Sequence, residues 1–238
     1  MYNDKTILAI IPARGGSKGL PGKNIKNLLG KPLIQWTIDI AKKSKYLDRI
    51  MVSTDSQEIA DVSKQAGAEV PFLRPAHLAT DTATTFDAVA HTINHYKENE
   101  KIEYDYIILL EPTSPLREDD DIDNMIEKLL SNPEKYDSLV SVGEVGEHPS
   151  IMKKISQGKF VINYCESLEM KTRRQDNDAA YFPYCVGYLV KKDALLREKT
   201  FYTKKNTFWE IKRYQCYEID DLYDFLAIEN IMRYEWNK

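Results

Sequence analysis

Residues Ile10 to Asn24 read Ile-Ile-Pro-Ala-Arg-Gly-Gly-Ser-Lys-Gly-Leu-Pro-Gly-Lys-Asn, an apolar run feeding a loop of small residues with cations at Arg14, Lys18 and Lys23. Glycines let a backbone approach a ligand closely and aim successive N–H groups at an anion, and the cations add full charges along the loop. This is chemistry for holding a polyphosphate. A plain glycine-rich turn would account for Gly15, Gly16 and Ser17 but not for the spaced cations. Two other phosphate loops are excluded. The Walker pattern needs Gly five residues before Gly-Lys and Ser or Thr after it, where this chain has Ser17 and Asn24. The dinucleotide fingerprint fails because Arg14 stands at its first glycine.

Far along the chain, Cys216-Tyr217-Glu218-Ile219-Asp220 puts carboxylates at alternate positions. On a strand such side chains share a face about 6.5 Å apart, which makes Glu218 and Asp220 candidates to bracket one divalent cation. Mg²⁺ suits a site built from few carboxylates plus substrate phosphates. A solvated strand end with a helix cap is the competing reading; the polyphosphate loop favours the metal, since nucleotide chemistry needs a cation to neutralise developing charge. Arg74, between Leu73 and Pro75, sits on a restricted backbone and could fork onto a base or phosphate. Thr54-Asp55-Ser56 and the Thr80 to Thr85 stretch offer hydroxyls either to a ligand or to helix caps. Arg173-Arg174 is either a solvated pair or a clamp for a carboxylate or phosphate.

The elements that must position these groups follow an α/β rhythm. Short apolar runs at Thr6–Ile11, Arg49–Ser53, Tyr106–Leu110, Ser138–Val142, Val186–Leu189 and Tyr214–Ile219 are expected strands. Amphipathic segments at Pro32–Lys43, Ser56–Ala66, Thr84–Tyr96, Asp121–Leu130 and Leu222–Arg233 are expected helices, the last capped by Asp220 or Asp221. A doubly wound, mostly parallel sheet covered on both faces follows, with ligands expected outside the carboxyl ends of its strands. The stretch from about 144 to 178 breaks the rhythm with Gly146, His148-Pro149, Gly158 and alternating pieces such as Lys159 to Asn163, and reads as an inserted lobe of β-hairpins.

With 238 residues the chain suits a single domain, 1–238. Its net charge of -4 and well-mixed charges argue against a nucleic-acid partner. Cys165, Cys185 and Cys216 show no pairing or metal-ligand spacing, which points to a reducing compartment. The run Ile7 to Ile11 is too short for a signal peptide and no stretch approaches a membrane span, so a cytoplasmic protein is expected.

The motifs together resemble the acylneuraminate cytidylyltransferase family, which activates sialic acid and related nonulosonic acids as CMP-sugars. The resemblance runs through Leu8 to Gly19 with Lys23-Asn24, Val52-Ser53-Thr54-Asp55, Leu73-Arg74-Pro75 with Leu78-Ala79-Thr80-Asp81, Pro112-Thr113-Ser114-Pro115-Leu116-Arg117, and Glu218-Ile219-Asp220, in family order. It implies a Rossmann-like nucleotidyltransferase fold with a dimerisation lobe, and hence a homodimer. The implied reaction is attack of the sugar's anomeric hydroxyl on the α-phosphorus of CTP, with pyrophosphate leaving. In that reading Arg14, Lys18 and Lys23 hold the triphosphate and act with Asp220 in catalysis. Gly15, Gly16, Ser17, Asn24, Arg74, Thr84 and Thr85 complete the nucleotide site, and Glu218 and Asp220 hold Mg²⁺. Glu111, Thr113, Arg174, Gln175 and Tyr184 contact an acidic sugar.

This chain departs from the family pattern at two positions. Glu111 replaces the Gln commonly found before Pro-Thr-Ser-Pro, exchanging an amide that can donate for a carboxylate that ordinarily only accepts. Pro183-Tyr184-Cys185-Val186 stands where relatives often read Pro-Asn-Gly-Ala. Both lead us to expect an altered acceptor, either one with a free amine facing Glu111 or a nonulosonate other than the common sialic acid. The alternatives are a nucleotidyltransferase acting on a hexose 1-phosphate and a non-catalytic nucleotide-binding module.

Overall fold

The computed structural model describes residues 1–165 and 177–236. Strand β1 (Ile7–Pro12) is buried on both faces. Successive strand side chains point to opposite sides, so Ile7, Ala9 and Ile11 enter one apolar cluster while Leu8 and Ile10 enter another. That is why the run is continuously apolar instead of alternating. After two short strands, β2 (Asn27–Leu28) and β3 (Lys31–Pro32), come α1 (Leu33–Lys43), β4 (Arg49–Ser53), α2 (Gln57–Gln65), α3 (Thr85–His95), β5 (Tyr106–Leu109), α4 (Asp121–Leu130) and β6 (Ser138–Glu144). The hairpin β7 (Lys153–Ser156) and β8 (Phe160–Asn163) leads on to β9 (Tyr181–Lys191), α5 (Lys192–Glu198), β10 (Asn206–Glu210) and α6 (Leu222–Trp236).

The main sheet has the order β10-β6-β9-β5-β1-β4. Its neighbours run parallel except where β9 lies antiparallel between β5 and β6. Helices α1, α2 and α4 cover one face through Ile34, Ile38, Ile59, Met125 and Leu129. The other face is covered by α3 and α5 through Val89, Ile93 and Leu195. A third cluster ties the site's loops to α6: Leu20, Leu116 and Ile219 pack with Phe225, Ile228 and Met232. Fully burying an aliphatic side chain of that size contributes about 1.5–3 kcal/mol.

The expected strand Tyr214–Ile219 does not form. Arg213–Gln215 is a 3-10 turn, and the residues after it are irregular. Polar partners hold this segment where a ladder would otherwise do so: the Tyr214 hydroxyl meets Glu118, Gln215 donates to Leu116 O and to Asp121 Oδ2 at 3.2 and 2.6 Å, and Ile219 N–H donates to Thr113 O. The edge position belongs to β10, whose alternating half-buried Thr207 and Trp209 pair beside β6. The Val186–Leu189 strand extends back to Tyr181, because the first half of β9 runs along β6 past a register shift between Val140 and Val142. Asp221 caps α6, its Oδ1 accepting from the N–H groups of Tyr223 and Asp224. In the stretch of the expected lobe, among the described residues, β7 and β8 pair only with each other, leaving Ile155, Phe160 and Val161 largely exposed.

Candidate active site

The loop after β1 lies at the carboxyl ends of the parallel strands and is pinned at several points. Leu20 is buried in the α6 cluster. Gly15 N–H donates to Asp55 Oδ1 at 2.9 Å, so the residue after β4 shapes the loop, while the adjacent Ser56 caps α2. Gly19 passes so close to the Asp220 carbonyl that a Cβ there would overlap it. Lys23, almost buried, donates to Ile219 O at 2.6 Å and pairs with Asp220 Oδ1 at 3.2 Å. The cationic loop and the acidic segment some two hundred residues later, |i−j| = 197, therefore form one unit. Asn24 is buried and donates to Arg14 O at 3.1 Å, turning the loop back on itself.

Across from the loop lies the Thr-rich segment that begins α3. Asp81 accepts from Arg14 Nη1 at 2.8 Å through one oxygen and meets Lys18 Nζ at 2.5 Å through the other. Those two cations hold the Asp81 carboxyl below its ordinary value. Thr84 and Asp87 form a capping box at the start of α3, so the Thr84 hydroxyl is engaged by the helix while its residue still faces the cleft. The helix N-terminus adds a partial positive charge on this side. Arg74 is buried, and its guanidinium grips Ser53 through both the hydroxyl and the carbonyl and reaches Leu78 O at 3.4 Å. It braces the wall as well as lining it.

The third wall is acidic. Glu111 follows β5, and its carboxyl is pushed up by burial first and by the neighbouring charge of Glu218 second. Behind it Arg117, fully buried, donates to the carbonyls of Glu111, Ser114, Cys185 and Val186 and to Thr37 Oγ1, at distances of 2.5 to 2.9 Å. Burial brings its pKa down to about 10. Glu218 accepts from the Cys185 N–H. With the strand gone, Glu218 and Asp220 do not share a pleated face: Glu218 turns toward β9, and Asp220 toward Lys23 and the cleft. Among the described residues no group of three His, Cys, Asp or Glu side chains is arranged to hold a metal. The exposed Asp220 carboxylate, with one oxygen against Lys23, nevertheless fits a cation held mostly by substrate phosphates.

A cleft of about 500 Å³ brings together Arg14, Ser17, Lys18, Lys23, Asn24, Arg74, Thr84, Thr85, Glu111, Thr113 and Asp220. Gly15, Gly16 and Glu218 do not line it; the two glycines are exposed on the loop beside it. Tyr184, expected as a sugar contact, is not part of it: its ring stands edge-on to Phe182 at 5.1 Å and packs over Gly143. Its side chain belongs to the β6–β9 junction because the strand begins before it. Arg174 and Gln175 lie outside the described residues. A larger hollow of about 930 Å³, lined by the packed rings of Trp36 and Trp236 together with Glu118 and Tyr214, contains none of the expected site residues. Sequence reasoning missed Asp81 as the partner of two loop cations and Asp55 as the clamp on Gly15. An acid set among threonines is the only local hint of the first.

Residues 8–237 match the model of a family described as cytidylyltransferase. The chain belongs to the cytidylyltransferase family. This cytidylyltransferase-family chain is 34% identical over 223 residues to an N-acylneuraminate cytidylyltransferase of Streptococcus agalactiae, covering 93% of its own length and 52% of that protein. It spans about half the length of the curated relatives it matches at that level. It is 33% identical over 223 residues to a pseudaminic acid cytidylyltransferase of Campylobacter jejuni, covering 91% of this chain and 92% of that one. Its fold is that of a solved CMP:2-keto-3-deoxy-manno-octonic acid synthetase complexed with CTP, with a TM-score of 0.70 at 16% identity over 97% of this chain and 99% of that one. The doubly wound, mostly parallel architecture is thus the one the α/β rhythm implies, and the Rossmann-like nucleotidyltransferase fold is the one the resemblance implies. Among the described residues no helix is long and apolar enough to cross a membrane.

Proposed function

We propose that the protein transfers CMP from CTP to a nonulosonic acid, releasing pyrophosphate. The observation that carries this reading is the convergence of Arg14, Lys18 and Lys23 with Asp220 and Glu111 on one cleft of a cytidylyltransferase-family chain. The relatives' printed substrates, acylneuraminate and pseudaminic acid, support the acceptor class. Arg14 and Lys18 receive the outer phosphates, and Lys23, fixed by Ile219 and Asp220, offers its charge nearest the acidic wall. Asn24, Arg74 and the α3 N-terminus with Thr84 and Thr85 form the nucleoside end. Such a reaction needs little covalent help from the protein; positioning and charge neutralisation supply most of the acceleration.

Asp220 is the residue that would hold Mg²⁺, with Glu218 behind it, and the ion would supply charge neutralisation on the phosphates. Glu111, which departs from the Gln common in the family pattern this chain resembles, supports an acceptor that presents a donor such as a free amine to the carboxylate. Two copies associating through the exposed apolar β7–β8 hairpin would form a homodimer; Ile155→Ser/Val161→Ser would then halve the molar mass measured by light scattering. The deciding assay follows pyrophosphate release with and without Mg²⁺, offering CTP and the other nucleotides against nonulosonic acids, Kdo-type sugars and hexose 1-phosphates. Release with CTP and an unphosphorylated nonulosonic acid is expected; release only with a sugar phosphate would overturn the acceptor class.

A further inference from the structure

The cations of the cleft are held in two different ways. Lys23 pairs with Asp220 at 3.2 Å but is also anchored by a backbone carbonyl, Ile219 O at 2.6 Å, which stays whatever binds. Arg14 and Lys18 are held by the carboxylate of Asp81, one oxygen each, at 2.8 and 2.5 Å. Asp81 comes from the opposite wall, 67 residues on from Arg14, and all three side chains line the same cleft. Its carboxylate therefore occupies, between two cations, the place where a phosphate group offering similar oxygen acceptors would sit. All three side chains retain access to water, Lys18 most of all at 79%. Exposed pairs of this kind are weak and readily exchanged. Arg and Lys both prefer a multiply charged phosphate to a single carboxylate.

We infer that Asp81 is a positioning residue, a resident counter-ion that keeps Arg14 and Lys18 aimed into the empty cleft, yields them to the triphosphate and takes them back as pyrophosphate leaves. The inference rests on the nucleotide reading of the cleft. Its mark is a contact that weakens polyphosphate binding while helping turnover. A residue that merely supports the fold does the reverse: its loss weakens binding.

The test measures inorganic tripolyphosphate and CTP binding calorimetrically to the wild type, Asp81→Asn and Asp81→Glu, with steady-state kinetics alongside. Asp81→Asn is expected to bind tripolyphosphate about 3- to 10-fold more tightly, from the loss of two exposed ion pairs and one repelling charge. It should also lower KM for CTP and kcat together and sharpen inhibition by pyrophosphate. Asp81→Glu should return toward wild-type affinity. In a Lys18→Gln background the gain from Asp81→Asn should shrink, and that cycle can be repeated with Asp81→Ser if the Asn variant does not fold. Unchanged or weaker tripolyphosphate binding by a folded Asp81→Asn protein, in a wild type that does bind it, overturns the inference alone. A wild type that binds neither tripolyphosphate nor CTP overturns the nucleotide reading and the inference with it.

Discussion

Arg14 and Arg117 stand on either side of one cleft and are treated in opposite ways. Arg14 meets a half-exposed carboxylate on a neighbouring segment. Arg117 is sealed from water and satisfied by fixed carbonyls of two elements, the segment after β5 and strand β9, with Thr37 from α1 closing the set. A cation meant to change partners needs a counter-charge that is easily displaced, whereas one that joins elements needs acceptors that cannot leave. On the proposed function, the same guanidinium chemistry gives a ligand handle in one place and a rivet in the other.

The comparison breaks most visibly through Arg117. Replacing it by Met strands several buried carbonyls, and stability should fall by about 3–5 kcal/mol, read from denaturant midpoints. Arg14→Met should leave that midpoint nearly unmoved while kcat/KM for CTP falls about 10²- to 10³-fold, the effect expected of a lost charge at a transition state. Should the Arg14 variant unfold early, or the Arg117 variant stay as stable as wild type, the division of labour is wrong. Gly19→Ala is intermediate: its Cβ would meet the Asp220 carbonyl backbone, and we expect about 1–3 kcal/mol of destabilisation together with a loss of activity, because the clash separates the loop from Asp220.

Glu111 gives the smallest and most specific effect. Its carboxyl is raised above the ordinary 4.5, so the native state holds the proton more tightly than the unfolded chain does. Its contribution is therefore fully present below that ordinary value and is lost as pH rises through the native pKa. Asp121 is raised by burial in the same direction and remains in both proteins. Glu111→Gln should accordingly flatten the decline of thermal midpoint above pH 4.5, the two curves converging at lower pH. Parallel curves would show that the carboxyl is not held back. The same variant should shift the acceptor profile toward sugars without a donor group at that point.

Much of the fold was legible because its signals are local. Arg49–Ser53 and Asp121–Leu130 were bounded correctly by apolar runs and periodicity alone. The Tyr214–Ile219 error arose where aromatic and polar residues alternate as on a strand but take partners that a sequence pattern does not show, the carboxylates of Glu118 and Asp121 and the carbonyl of Leu116. Helix α5, only seven residues long and directly after β9, carries too few apolar positions to announce itself. In the site, the spaced cations were visible as a loop, and so were Asn24, Arg74 and Asp220. Asp81 was not, since its meaning depends on contact with residues 63 and 67 positions earlier, through Lys18 and Arg14. Tyr184 stands outside the cleft for a related reason: strand β9 begins before it and fixes its ring against β6.

The position of β9 also sets an order of assembly. The half-sheet β5-β1-β4 is complete once residue 109 has been made. Strand β6, finished by residue 144, has no ladder partner until β9 arrives at 181–191, and β9 is the strand that joins the two halves. During synthesis the carboxyl ends of β1, β4 and β5 are thus in place well before the acidic wall behind Glu111 can close, because the Arg117 rivet waits for Cys185 and Val186. Long-range closure of this kind is slow relative to local folding, and it leaves the facing edges of β5 and β6 bare until β9 arrives.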